Sequence, residues 1–271
     1  MESSTANCPI CVQCGVQFPE PRETCPVCSE QRQFVNWNGQ EWTTLAEMRA
    51  GEYRGRVEQE GPQVVGIGTE PKFGIGQRAL LVRAPTGNVL WDCTGYVDDE
   101  LVDRIGELGG ITAIAISHPH FYSTSTEWAR IFDVPVYLHA ADREWMPFTD
   151  EHFVFWEGER RELAPGLTLL NLGVHFSGGA VLHWSGGENG RGALFSGDIV
   201  QVVPDRRWVS FMRSYPNLIP ERPSVVRRAV QLLEPYPFEA VYGGWWGMNV
   251  ASDGSAAVRR SAERYLDFVV E

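Results

Sequence analysis

No stretch of the chain approaches the roughly 20 consecutive apolar residues that a membrane-crossing helix requires, so a helical membrane protein is excluded. The opening MESSTANCP has neither a basic start nor an apolar core, so it does not read as a secretory signal, and a cytoplasmic protein is expected. Basic residues are also short. Lys and Arg total 23 against 35 Asp and Glu, a net charge of −12. Such a surface repels phosphate backbones, and no run of basic residues offsets it. The longest basic clusters are pairs such as Arg227-Arg228 and Arg259-Arg260, both in helix-like segments. No nucleic-acid partner is expected. Histidines number six, and cysteines are nearly absent outside one short region.

That region holds five of the six cysteines, between residues 8 and 28. With no secretory signal, crowded cysteines point to metal rather than to a disulfide framework. The spacing is Cys8-x2-Cys11-x2-Cys14-x10-Cys25-x2-Cys28. Two C-x2-C pairs about a dozen residues apart can close a tetrahedral S4 shell around one ion. Gly15 follows Cys14 where the chain must turn tightly, which favours Cys11, Cys14, Cys25 and Cys28 as the ligands. Cys8 is then the extra thiol, although the pair Cys8 and Cys11 is an alternative first knuckle. The segment has few large apolar residues, so metal is expected to hold it together. It resembles a zinc ribbon and also the iron site of rubredoxin, so zinc is expected and iron is possible. Many ribbons bind nucleic acid, but Glu2, Glu20, Glu23 and Glu30 against Arg22 and Arg32 argue against that role. Cys93, alone in LWDCTG, reads as a small buried residue.

Residues 1–35 therefore read as a metal module, 36–60 as a linker with one short helix, and 61–271 as the main body. In the body, Arg78–Ala84 and Asn88–Trp91 read as a hairpin about the Pro85-Thr86-Gly87 turn. Leu101, Ile105 and Leu108 mark a helix that opens at Asp98–Glu100 and stops at Gly109-Gly110. Ile111–Ile116 reads as a buried strand, and Ser125–Phe132 as a short helix with a capping box of Thr124 and Glu127. Strands follow at Val134–Leu138, Leu167–Leu172, Ala180–His183, Gly192–Phe195 and Phe238–Tyr242. Val226, Ala229, Val230 and Leu233 mark one helix, and Val258, Ala262, Leu266 and Val269 another. The pattern implies two sheets with helices outside, a four-layered α/β body.

A second metal site begins at ISHPHFYSTSTEW. His118 and His120 follow a buried strand and precede a helix, and residues two apart on an extended loop can face one ion. His175 in LGVHFSGG and Asp198 in LFSGDIV also follow strands. The spacings, 55 residues from His120 to His175 and 23 on to Asp198, resemble those of the metallo-β-lactamase-fold hydrolases. That family carries H-x-H-x-D-H, then a further His, then a G-D, and its strand ending in Asp-x-Gly is matched by LWDCTG. The resemblance covers roughly residues 61–271 and implies an αββα sandwich.

The departures bear on function. The family's Asp of H-x-H-x-D-H falls on Tyr122 and its last His on Ser123, while VYGGWWG lacks the family's final His. These are the second-metal ligands of the family. The resemblance thus implies one ion, zinc or iron, held by His118, His120, His175 and Asp198. Tyr122 is a candidate hydrogen-bond donor to substrate, Asp198 a ligand that orients the nucleophile, and Trp245 and Trp246 candidate walls of a substrate pocket. Ser123 and Thr124 are expected to serve the following helix, and Asp92 to hold its loop behind the ligands. His139, His152 and His183 match no ligand position.

Three His and a carboxylate suit Zn²⁺ with an open position. A hydrolase of a small, largely apolar ester, thioester, lactone or amide is expected. Two alternatives remain: a non-haem Fe(II) oxygen-using enzyme of the persulfide dioxygenase type, and a binding protein that has lost catalysis.

Overall fold

The structure is a computed structural model that describes residues 5–269. Met1–Ser4, Val270 and Glu271, at the outer limits of the two expected modules, lie outside the described residues, as does Glu2 in the charge argument above.

Two sheets form the body. The first has seven strands, in spatial order Arg54–Gly61, Val64–Glu70, Ala79–Ala84, Gly87–Trp91, Ala113–Ala115, Val136–His139 and Phe153–Trp156. Its first four strands pair antiparallel, and from Gly87–Trp91 onward the pairing is parallel. The second sheet has six strands, Arg160–Ala164, Leu167–Asn171, Ala180–Trp184, Ala193–Gly197, Ala240–Gly243 and Asn249–Val250. Only the pairing of Ala193–Gly197 with Ala240–Gly243 is parallel within it.

Side-chain alternation along the strands explains the layering. Leu80 and Val82 point to one face and pack with Leu167, Leu169, Leu182, Phe195 and Tyr242 of the other sheet. Their neighbours Ala79 and Leu81 point the other way, against Leu101, Ile105 and Trp128 of the helices Asp99–Glu107 and Ser125–Phe132. In the second sheet Val181 and Leu194 face outward onto Val226, Ala229, Val258 and Ala262 of the helices Pro223–Leu233 and Gly254–Val269. A strand with period two and two buried faces requires a partner layer on each side. The result is the expected four-layered αββα sandwich, with helices outside two face-packed sheets.

The stretch expected to be a linker is built into the fold. Trp42–Thr43 pairs antiparallel with Ile10–Cys11. The helix Leu45–Ala50 buries Leu45 and Met48 in the same core that holds Ile10 and Leu101. Its N-terminus carries a full capping box, in which Thr44 Oγ1 accepts from Glu47 N at 3.1 Å and Glu47 Oε2 accepts from Thr44 N at 2.9 Å. Arg54–Gly61 is the edge strand of the first sheet. Its sequence, RGRVEQEG, hides this because an edge strand needs only one apolar face and its outer side meets water.

The capping box expected of Thr124 and Glu127 is not made. Helix Ser125–Phe132 forms, but the Thr124 hydroxyl donates to Thr94 O at 2.9 Å, and buried Glu127 pairs with Arg49 at 3.2 Å and with the Thr5 hydroxyl. Ser123 likewise turns away from that helix and donates to Cys93 O at 3.2 Å. Tertiary partners have claimed all three side chains. The hairpin, the helix at 99–107 and the later strands fall where the pattern places them, within two residues at most ends.

Candidate functional site

Three of the four body residues follow the carboxyl ends of strands. His118 follows Ala113–Ala115, His175 follows Leu167–Asn171, and Asp198 follows Ala193–Gly197. His120 sits in the single 3-10 turn Pro119–Phe121, which starts at a proline. Strand ends are rigid, and in α/β folds the crevice beyond them is where ligands sit. One atom from each of His118, His120, His175 and Asp198 lies within 4.8 Å of the others, and all four residues are buried.

Their orientations are set by partners behind them. His118 Nδ1 lies 2.8 Å from Ser117 Oγ, which leaves Nε2 facing the site, 3.1 Å from Asp198 Oδ1. His175 Nδ1 donates to Met212 O at 3.2 Å, which leaves Nε2 3.0 Å from His120 Nδ1 and 3.8 Å from Asp198 Oδ2. His175 adopts a left-handed backbone, φ +65°, unusual for a residue with a Cβ. The buried Glu221 carboxylate accepts from its amide at 3.0 Å and holds that conformation. Tyr215 donates to Asp198 O at 2.9 Å. Asp92, also at φ +65°, accepts from Ser117 N at 2.7 Å, so it holds the loop that carries His118, as expected.

Electrostatics match this placement. Burial, the neighbouring histidines and Arg32 all hold His118 well below the ordinary histidine range, and burial and His175 do the same for His120. Burial lowers His175 to about 4 and raises Asp198 to about 7. Neutral imidazoles are the form that ligates metal. The donor set passes a further test. His118 Nε2 and Asp198 Oδ1 are buried and have no hydrogen-bond partner among the described residues. Buried polar atoms without partners are costly, and a cation at their meeting point would satisfy both. Three imidazole nitrogens and a carboxylate oxygen fit one divalent ion of the zinc or iron type.

The second-metal positions are occupied by groups with other work. Tyr122 is buried, and its hydroxyl donates to Asp142 O at 3.2 Å. It is not among the residues lining the cavity at the site, and its hydrogen bond to Asp142 O braces the turn behind His120. Ser123 O accepts from Gln17 N at 3.0 Å, and Ser123 Oγ is 3.1 Å from Gln77 Nε2, so this residue joins the cysteine module to the body. Trp245 lines the cavity, and its indole donates to Ile75 O at 3.1 Å. Trp246 does not. It lies under Arg56, 4.0 Å from ring centroid to guanidinium, and over Gly66 and Gly68, where an added Cβ would come within 2.6 and 2.7 Å. It lines a separate groove along the first sheet.

At the N-terminus Cys11, Cys14, Cys25 and Cys28 also converge within 4.8 Å, all buried. Cys11 Sγ to Cys28 Sγ and Cys14 Sγ to Cys25 Sγ are each 3.7 Å. A tetrahedron with 2.3 Å metal–sulfur bonds has edges of about 3.8 Å. Burial pushes the Cys14 thiol well up, so ionised sulfurs here need a cation. Gly15 turns the first knuckle at φ +82°. Cys8 stands aside, half-buried, its thiol directed at Pro19 O at 3.8 Å. Cys93 is fully buried, as expected.

The cavity at the body site, about 390 Å³, is lined by His120, His175, Asp198, Tyr215 and Trp245, and also by Gln13, Arg32, Gln33 and Phe34. The last four belong to the cysteine-rich segment. Sequence reasoning did not place them or Tyr215 at the site, because no local spacing reports a wall built from distant segments.

Comparison with known proteins agrees with the geometry. The metallo-beta-lactamase superfamily profile matches residues 74–245, and the chain belongs to that superfamily. An uncharacterized protein of Bacillus subtilis, YmaE, is 46% identical over 261 residues, 95% of each chain. Among solved structures, VMB-1 is similar with a TM-score of 0.60 at 16% identity, covering 81% of this chain and all of that one. The metallo-beta-lactamase FIM-1 from Pseudomonas aeruginosa in its mono-zinc form has a TM-score of 0.58 at 14% identity, covering 80% of this chain and 97% of that one. At those identities the likeness is one of fold.

No helix among the described residues is long and apolar enough to cross a membrane.

Proposed function

We propose that the protein is a metal-dependent hydrolase of a small ester, thioester, lactone or amide, working with one ion in the body site. The observation that carries this reading is the convergence of His118, His120, His175 and Asp198 within 4.8 Å, beside second-metal positions where Tyr122 and Ser123 have been turned to structural use. A divalent ion held there supplies Lewis acidity, polarising a carbonyl oxygen and lowering the pKa of water towards about 7. Zinc suits the three nitrogens and one oxygen, and needs a single open position.

The chain's own residues supply the rest. Asp198, its carbonyl held by Tyr215 and its carboxylate facing the histidines, would help hold the ion and orient the nucleophile. Trp245 and Phe34 offer apolar walls to the substrate. The structural-ion role of the four-cysteine module, with zinc there in preference to iron, belongs to the same reading, as do a small-molecule partner and a cytoplasmic location.

The test is anaerobic turnover of an ester and thioester panel by the zinc-loaded protein, beside oxygen uptake by the iron-loaded protein with persulfides. Hydrolysis without oxygen, lost in His120→Ala, is expected. Oxygen consumption tied to turnover, with no hydrolysis in any metal form, would move the assignment to the dioxygenase alternative. Metal binding without either reaction is the outcome expected of a binding protein.

A further inference from the structure

We propose that the four-cysteine module is a wall of the active-site pocket, and that its Arg32 binds a carboxylate carried by the substrate. The proposal rests on the pocket being the substrate site of the hydrolase described above, and it narrows that substrate to an anionic acyl compound.

Arg32 lies four residues beyond Cys28, and its main chain is tied to the body. Ser214 Oγ donates to Arg32 O at 3.0 Å, and Asn217 Nδ2 donates to Gln31 O at 2.9 Å and Gln33 O at 3.0 Å. The side chain lies over Phe176, 3.9 Å from guanidinium carbon to ring centroid. Phe176 in turn packs against His120 and His175, with centroids 4.9 and 5.1 Å away. The guanidinium is thus one ring removed from the metal-facing histidines, and Arg32 lines the same cavity.

Its hydrogen-bonding is incomplete. The side chain is 12% exposed, and Nε and Nη1 are buried without a hydrogen-bond partner among the described residues. Glu30 lies 3.5 Å from Nε, and the charges of Asp142 and Glu221 also bear on the guanidinium. A buried guanidinium with idle donors is costly to fold around, and its planar fork matches a carboxylate. Lys72, the only lysine in the sequence, lines the same cavity. Among the described residues Asp198 is the one carboxylate lining it, and the ion would neutralise that charge. On a protein of net charge −12, a pocket with this lining is selective for anions. The first knuckle is seated on the same lip: a Cβ on Gly74, another lining residue, would lie 3.2 Å from the Cys14 carbonyl carbon.

Binding tests this independently of turnover. The zinc-loaded full chain is titrated calorimetrically with linear dicarboxylates from malonate to adipate, and with monocarboxylates of equal chain length. A monocarboxylate reaches only the ion, whereas a dicarboxylate of suitable length also reaches Arg32. At least one dicarboxylate is expected to bind about tenfold or more tightly than its monocarboxylate match, the scale of a charge-assisted hydrogen bond. Arg32→Gln should reduce that ratio to near one while leaving monocarboxylate affinity unchanged, and Arg32→Lys should keep part of it. The metal content of each variant verifies that both sites remain loaded. A ratio near one in the parent protein at every length, or a ratio unchanged in Arg32→Gln, would overturn the proposal. A preserved ratio in a protein that hydrolyses nothing on the panel would defeat the hydrolase reading alone. Where hydrolysis is seen, p-nitrophenyl hemisuccinate should exceed p-nitrophenyl butyrate in kcat/KM, and Arg32→Gln should remove the difference.

Discussion

The amide of Gln17, between the two cysteine knuckles, donates to the carbonyl of Ser123, three residues after His120, at 3.0 Å. Ser123 stands where the family pattern carries a second-metal histidine. One residue therefore marks both a departure from the family pattern and the attachment of the extra module. Gln77 reinforces the link, its amide lying 3.4 Å from Cys14 O and 3.1 Å from Ser123 Oγ.

Replacing Cys25 with Ser should remove one ion per chain, because three thiolates cannot complete an S4 shell. The loop from Cys25 to Phe34 then loses its anchor. We expect weaker dicarboxylate binding and lower turnover, with the body ion retained. Metal analysis beside calorimetry measures both. Full dicarboxylate affinity in a variant lacking the module's ion would show that the ion does not position Arg32.

The body should hold one ion, about 2.0–2.2 Å from His118, His120, His175 and Asp198 if it is zinc. His120→Ala should weaken binding of that ion and spare the cysteine site. An anomalous-scattering map is the measurement. Two ions about 3.5–4 Å apart would contradict the reading of Tyr122 and Ser123 as structural residues.

Ser117→Ala removes the hydroxyl that orients His118 through Nδ1. Loss of such an outer partner lowers metal affinity or activity about 10–100-fold. The accompanying loss of fold stability should be only about 1 kcal/mol, one hydrogen bond. Competition with a chromophoric chelator reads the first effect and thermal unfolding the second. Unchanged affinity would mean that the Phe121 and Phe176 rings packed on His118 suffice to hold it.

His152 gives a pH signature away from both metal sites. Its Nδ1 lies 2.6 Å from Asp150 Oδ1 and its Nε2 3.1 Å from Asp133 Oδ1. The Asp150 hydrogen bond raises its pKa above the usual value despite some burial. A base with a raised folded-state pKa stabilises fully below its unfolded value of about 6.5 and loses that contribution as pH rises through the folded value. Thermal stability should therefore fall by a modest increment above about pH 6.5, on the order of 1 kcal/mol or less for a half-buried pair still reached by solvent. His152→Asn should flatten that increment. A pH profile identical in the two proteins would refute it.

Much of this protein is legible in one dimension. Cys11, Cys14, Cys25 and Cys28 announce themselves because a metal knuckle is a local structure with fixed spacing. His118, His120, His175 and Asp198 do so because their motifs and spacings resemble those of the metallo-β-lactamase-fold hydrolases. The two-faced burial of Ala79–Ala84 makes the layered sandwich readable for the same reason. Other features had no local signature. Thr124 and Glu127 have the spacing of a capping box, yet a neighbouring carbonyl, Arg49 and Thr5 take their side chains, while Thr44 and Glu47 form the box in a stretch that reads as a linker. The strand Arg54–Gly61 is polar because it is an edge. Tyr122 and Trp246 sit beside the motif and beside the missing histidine, but packing turns both away from the cavity. Arg32 could not be assigned from its neighbours, since its role depends on Phe176, Ser214 and Asn217, more than 140 residues distant. Sequence by itself determined the candidate ligand residues, through motif spacing, and the layers, through short-range periodicity. Which residues face the cavity was decided only by long-range packing, because the direction of a side chain depends on what the rest of the chain brings beside it.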